Sequence, residues 1–225
     1  MFLVSYVLEP VSYGLFSLGL LYYFIKFNPP KFYLVTMIFF LVMTGLQAWA
    51  LFHTKGGNLY IYNMFYVVNS ITFSYFFYHL LSGKAGKRLA VGSGVVTLIY
   101  FIINISIVHE TYFDSIGYVI SSLGIIILVF IFYYRLMGKI TEESITDNFN
   151  FWFVSSQLIY HLGAFFIFLS LNMFTRKFLS GQNTSENQDI LIYLWGVHNV
   201  LLFLGSLLTW FGVLWIVYHR KSRSS

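Results

Sequence analysis

This sequence predicts an all-α, polytopic membrane protein: a seven-transmembrane-helix bundle, N-terminus outside and C-terminus cytoplasmic. Three observations lead there. Of 225 residues, 58% are hydrophobic and only 9% charged, where a soluble domain carries roughly 25% charged residues. The apolar residues gather in seven runs, at about 3–25, 31–53, 59–81, 89–109, 113–137, 149–173 and 190–218, each long enough to cross a hydrocarbon layer of ~30 Å. Finally, Lys26, Lys31, Lys84, Lys87, Arg88, Arg135, Lys139, Arg220, Lys221 and Arg223 all fall on one side of the resulting arrangement. Only Lys55, Arg176 and Lys177 fall on the other. Short loops rich in Lys and Arg stay in the cytoplasm, which sets the orientation and places the chain in the cytoplasmic (inner) membrane.

The runs are joined by short connections, so residues 1–225 read as a single domain in the lipid bilayer. The first run has neither a basic leader nor a small-residue cleavage site and reads as a retained helix. Pro29 and Pro30 close it, and Gly56, Gly57, Gly83 and Gly86 punctuate the next connections. Between the fifth and sixth runs lies GKITEESITDN, whose Glu142, Glu143 and Asp147 make it the only acidic connection on the basic side. It reads as a docking surface for a cytoplasmic signalling partner, or as a solvated loop in which Asp147 or Asn148 caps the sixth helix. Cysteine is absent, so disulfides and thiolate metal sites are excluded. The net charge of +5 is explained by its placement beside the membrane, and nucleic acid is not an expected partner.

The sixth run, FWFVSSQLIYHLGAFFIFL, organises the rest. Gln157, Tyr160 and His161 are spaced to share one wedge of a helix, and a histidine inside a membrane helix marks a site unless a partner satisfies it. The other runs carry polar stripes: Glu9 and Tyr13 in the first, Gln47 in the second, and Asn63, Tyr66, Asn69, Ser70 and Ser74 in the third. The fourth has Tyr100 and Asn104, the fifth Tyr118, Ser121 and Ser122, and the seventh Trp195, His198 and Asn199. Ser, Thr and Gly in such stripes commonly just join helices. At ~1.5 Å per residue, Glu9, Gln47 and Asn63 lie on the order of 7–9 Å below the outer ends of their helices, His161 and His198 roughly 12 Å and Asn69 about 16 Å. The expected site is therefore one outward-opening pocket formed by Glu9, Gln47, Asn63, Asn69, His161, His198 and Asn199, with Tyr66, Tyr160 and Trp195 as its walls. Glu9 has no Lys or Arg at its depth, which leaves His161 and His198 as its candidate partners.

Several chemistries fit two deep histidines. A metal held with Glu9 would draw ligands from three helices without a recognisable spacing. Haem would need the rings on opposite faces of a flat cofactor. A ligand hydrogen bond, or a satisfied core histidine, asks for neither, and no cofactor is expected. The segments DNFNFWFVSSQLIYHLGAFFIFL and LWGVHNVLLFLGSLL resemble the small, uncharacterised seven-helix membrane proteins of Bacteroidota, with a Phe-Trp start, a mid-helix Tyr followed by Gly, and Trp-x-x-His-Asn opening the last helix. That resemblance implies a seven-helix bundle and no established activity. Microbial rhodopsins share the helix number, but the last run has no lysine between Ile190 and Tyr218 to carry retinal. The leading expectation is a receptor-like sensor binding a small or lipidic ligand. A small proton-linked transporter is the alternative, and a metal-dependent intramembrane hydrolase or a haem protein stands behind both. Whether the chain is an enzyme stays open, with a non-enzymatic role favoured.

Overall fold

Seven long helices and one short turn carry the chain. In the computed structural model, residues 2–53, 59–108, 114–138, 145–179 and 185–223 are described. They form α1 (Phe2–Phe27), α2 (Phe32–His53), α3 (Leu59–Leu80), α4 (Lys84–Val108), α5 (Ser115–Met137), α6 (Phe149–Leu179) and α7 (Ser185–Arg223), with a 3-10 turn at Ile145–Asp147. Lys55, His109, Glu110, Lys139, Glu142, Glu143 and Asn183 lie outside the described residues, as do the side chains of His53, Arg176 and Lys177. Among the described residues, six helices are long and apolar enough to cross a membrane; α3 is as long but carries too many Tyr, Asn and Ser side chains. The protein is a multi-pass helical membrane protein.

The helix ends follow from local chemistry. α1 stops where Asn28 takes a positive φ of 44° and its N–H bonds Phe24 O at 2.9 Å. Asparagine tolerates that conformation, and Pro29 and Pro30 then bar any continuation. α5 starts at Asp114, whose carboxylate accepts from Gly117 N. α6 starts at Asn148, whose Oδ1 accepts from Asn150 N at 2.9 Å; of the two capping residues expected there, Asn148 fills the role. α4 begins at Lys84, earlier than the apolar run, because Lys84, Lys87 and Arg88 are good helix formers although they end a hydropathic stretch. α6 and α7 reach 31 and 39 residues, so α7 is nearly twice the ~20 residues that span a bilayer.

Helices α1, α2, α3, α5, α6 and α7 close into a ring, and α4 packs outside it against α3 and α5. Phe153 of α6 fills the centre. Its ring meets Phe16 of α1 at 6.5 Å, Phe40 of α2 at 6.4 Å, and Phe73 and Phe76 of α3 at 6.4 and 5.1 Å. All five rings are essentially buried. Lipid is as apolar as these side chains, so shape complementarity and ring geometry, at ~0.5–1.5 kcal/mol per aromatic pair, do the holding.

Close approach between α6 and α7 depends on small residues. A Cβ at Gly205 would lie 3.2 Å from the Ser156 carbonyl oxygen, and one at Gly212 would lie 2.2 Å from Trp152 Cβ. Trp152 Cβ cannot move without its backbone. Gly212→Ala is expected to destabilise the bundle by about 1–3 kcal/mol through overpacking. Gly92→Ala, which points into open space on α4, should leave the midpoint of thermal unfolding in detergent unchanged or slightly raised.

Candidate functional site

The polar wedge of α6 is buried, and it divides. Tyr160 turns towards α1 and α7, and His161 towards α3 and α5. The Tyr160 hydroxyl lies 2.9 Å from His198 Nε2, and His198 Nδ1 lies 3.0 Å from Asn199 Oδ1. The amide oxygen can only accept, so Nδ1 carries the proton and Nε2 accepts from Tyr160. The Tyr13 hydroxyl adjoins that of Tyr160, and the Glu9 carboxyl is within electrostatic range of both phenols. His198 is boxed by Tyr160, Phe168 and Trp195, with ring centroids at 5.4, 4.9 and 5.3 Å.

Glu9 is 3% exposed, and Gln47 Nε2 donates to its Oε1 at 2.7 Å. The expected histidine partnership is therefore replaced by an amide one: Gln47 sits on the neighbouring α2 and meets the carboxyl directly. Pro10, next in the chain, lies within an unbroken α1.

His161 is 2% exposed. Its Nδ1 reaches Ser122 Oγ only at 3.5 Å, a weak contact by ordinary criteria, and its ring packs on Phe73 at 5.6 Å and Tyr160 at 4.7 Å. Its Nε2 is buried and has no hydrogen-bond partner among the described residues. His161 and His198 both flank the Tyr160 ring, which makes them near neighbours. Among the described residues no three His, Asp or Glu side chains gather as a metal ligand set.

Asn63 and Tyr66 gather elsewhere, around Asp114. This carboxylate, 5% exposed, accepts from Tyr66 Oη at 2.8 Å, Tyr100 Oη at 3.1 Å, Asn104 Nδ2 at 2.8 Å and Gly117 N at 2.9 Å. Its own N–H donates to Asn63 Oδ1 at 2.8 Å. One residue thus joins α3, α4 and α5 at the end of the bundle opposite the basic one. A Cβ at Gly117 would lie 2.2 Å from Tyr66 Cζ, so only glycine leaves room for the phenol. Tyr118 links the two polar groups, meeting the tilted Tyr66 ring at 5.4 Å and stacking on Phe168 at 4.3 Å. Asn69 is half-buried on α3 and joins neither set of hydrogen bonds.

Asp114 was the residue to find. Its signal was an acidic residue at the start of an apolar run, an N-cap pattern; nothing in the chain order shows that Tyr66, Tyr100 and Asn104 close over it. A lateral groove of 410 Å³ runs between α2 and α3, lined by apolar side chains including Ile38, Phe39, Met43, Leu46, Met64 and Phe65.

Removing the carboxylate orphans four donors at once, so Asp114→Ala is expected to cost about 3–5 kcal/mol of stability, as losing one partner of a buried charged set does. Tyr66→Phe removes one donor and should cost about 1–3 kcal/mol, both read from unfolding in detergent. If Asp114→Ala proves no worse than Tyr66→Phe, Asp114 is not the hub of this corner. Comparison with known family models, curated proteins and solved structures finds no match for this chain.

Proposed function

We propose that the protein is a receptor-like sensor whose centre, inside the ring of α1, α2, α3, α5, α6 and α7, recognises a small or lipidic ligand. The observation that carries this reading is the buried, unpartnered Nε2 of His161, in a centre where Glu9, Tyr160 and His198 all find partners. A polar group in such surroundings is costly until something meets it, and a ligand group is one way to meet it. The groove between α2 and α3 favours a lipidic ligand: Met43 lines it, and Gln47, one helical turn further along α2, holds Glu9. An acyl chain in the groove would bring its polar end to that pair. Its volume falls within the ~300–1,000 Å³ of ordinary ligand sites.

The second reading is a proton-linked transporter, which the Glu9-Pro10 pair favours. A carboxyl buried in the bundle beside a proline that leaves one helical carbonyl without its usual donor offers a proton-binding group next to freed backbone. In either case the chain is proposed to sit in the cytoplasmic membrane with all seven helices spanning, N-terminus out, and its basic end facing the cytoplasm and a signalling partner. The uneven Lys and Arg placement supports that orientation.

Native mass spectrometry of protein purified in mild detergent tests the sensor reading. An adduct of constant mass is expected on the wild type and should be lost from His161→Phe, with His161→Asn retaining part of it. Equal adducts on all three, or none on any, would overturn it. Solute uptake by proteoliposomes that is abolished in Glu9→Gln would favour the transporter instead. For orientation, a fluorescent protein that matures only in the cytoplasm, fused after Ser225, should fluoresce; a dark but full-length fusion would reverse the topology.

A further inference from the structure

At the basic end of the bundle a second cavity opens, remote from the polar centre. It has a volume of 660 Å³ and is lined by Ser82, Gly83, Tyr134, Arg135, Met137 and Gly138, where the α3–α4 turn meets the end of α5. We infer that this cavity binds the phosphate of an anionic phospholipid headgroup, with the Arg135 guanidinium as the principal contact.

The argument starts from charge. Arg135 is half-buried, and its guanidinium lies over Gly86, with Nη1 2.8 Å and Nη2 2.9 Å from the point a Cβ there would occupy. Nη1 is buried and has no hydrogen-bond partner among the described residues. An arginine cannot shed its proton to escape this situation. The guanidinium is pressed at Gly86 on the first turn of α4, which has no acidic residue to pair with it, while Lys87 Nζ turns to the Tyr78 ring at 5.0 Å. A helix start is itself electropositive, with its first N–H groups unbonded. A permanent cation rests on an electropositive helix start, and an anion in the cavity relieves the conflict.

The shape of the guanidinium narrows the anion. Its planar fork matches the oxygens of a phosphate, and such pairs form two parallel charge-assisted hydrogen bonds. The cavity walls narrow the source. Tyr134 and Met137 are 78% and 61% exposed at the end of a membrane-spanning helix, an apolar flank suited to the acyl chains beside a headgroup. A soluble phosphate would have no use for that flank. Basic pockets between helices at a membrane surface bind lipid headgroups by this chemistry.

The test is thermal unfolding of full-length protein in uncharged detergent, titrated with dioctanoyl phosphatidylglycerol, dioctanoyl phosphatidylcholine or inorganic phosphate. Phosphatidylglycerol should raise the midpoint saturably and phosphatidylcholine should not. Arg135→Gln should weaken the half-saturating concentration by about tenfold or more, the loss expected for a bidentate charged contact. Gly86→Ala, which displaces the guanidinium without removing charge, should weaken it as well. Arg88→Gln, an exposed cation on the same helix, should bind as the wild type does. So should His161→Phe, which keeps this site separate from the proposed ligand centre. Equal weakening by Arg88→Gln would reduce the effect to diffuse surface charge and overturn the proposal. An undiminished response in Arg135→Gln would do the same, and protection by inorganic phosphate equal to that by phosphatidylglycerol would overturn the lipid as its source.

Discussion

Every polar group carried into hydrocarbon has to be satisfied by the protein itself, because no water is there to do it. That constraint governs where this chain puts its few carboxyl, imidazole and phenol side chains. Glu9 is turned to Gln47 on the adjacent helix, His198 is held between Tyr160 and Asn199, and Asp114 collects four donors from three helices. None of these groups faces lipid. The exposed surface is instead Leu, Ile, Val and Phe along the outer faces of the helices.

The same constraint explains the position of α3. Among the described residues it is the one long helix without a span apolar enough to cross a membrane, and Tyr66, Ser70, Phe73, Phe76 and Phe77 on it are essentially buried. It touches α2, α4 and α5 and presents its aromatic face to Phe153 at the centre. A helix that cannot meet lipid on all sides is surrounded by others. α4 shows the converse: it is richly apolar, packs only on α3 and α5, and is the least buried of the six candidate spans. Polarity and burial trade places between neighbours.

Against this background several buried polar atoms among the described residues are exceptions, Ser74 Oγ, Ser93 Oγ and Trp215 Nε1 among them, and two bear on function. His161 Nε2 at the centre and Arg135 Nη1 at the basic end are buried without a partner among the described residues. One is a ring nitrogen among aromatics and the other a permanent cation on an electropositive helix start. They call for different complements, a hydrogen-bonding group and an anion. His161 lies within α6 and Arg135 in the last turn of α5, so the two proposals stand independently of each other.

Hydropathy and charge placement alone determined that the chain is a multi-pass helical membrane protein, because the length and composition of an apolar run are local properties. They also marked Gln157, Tyr160 and His161 as an inward wedge, since the helical period is local too. Helix ends were legible where a proline or cap spoke, as at Pro29 and Asn148, and missed where charged but helix-favouring residues such as Lys84 and Lys87 continued the helix past the apolar stretch. What only the tertiary structure decided was pairing. The sequence placed Glu9, Gln47, Asn63, Asn69, His161 and His198 at compatible depths, but depth does not say which helix stands beside which. Gln47 met Glu9 because α1 and α2 pack together, and Asn63 and Tyr66 met Asp114 because α5 lies against α3. Two helix faces at the same level become partners only once the order of the ring is known, and that order is set by side-chain shape summed over the whole bundle.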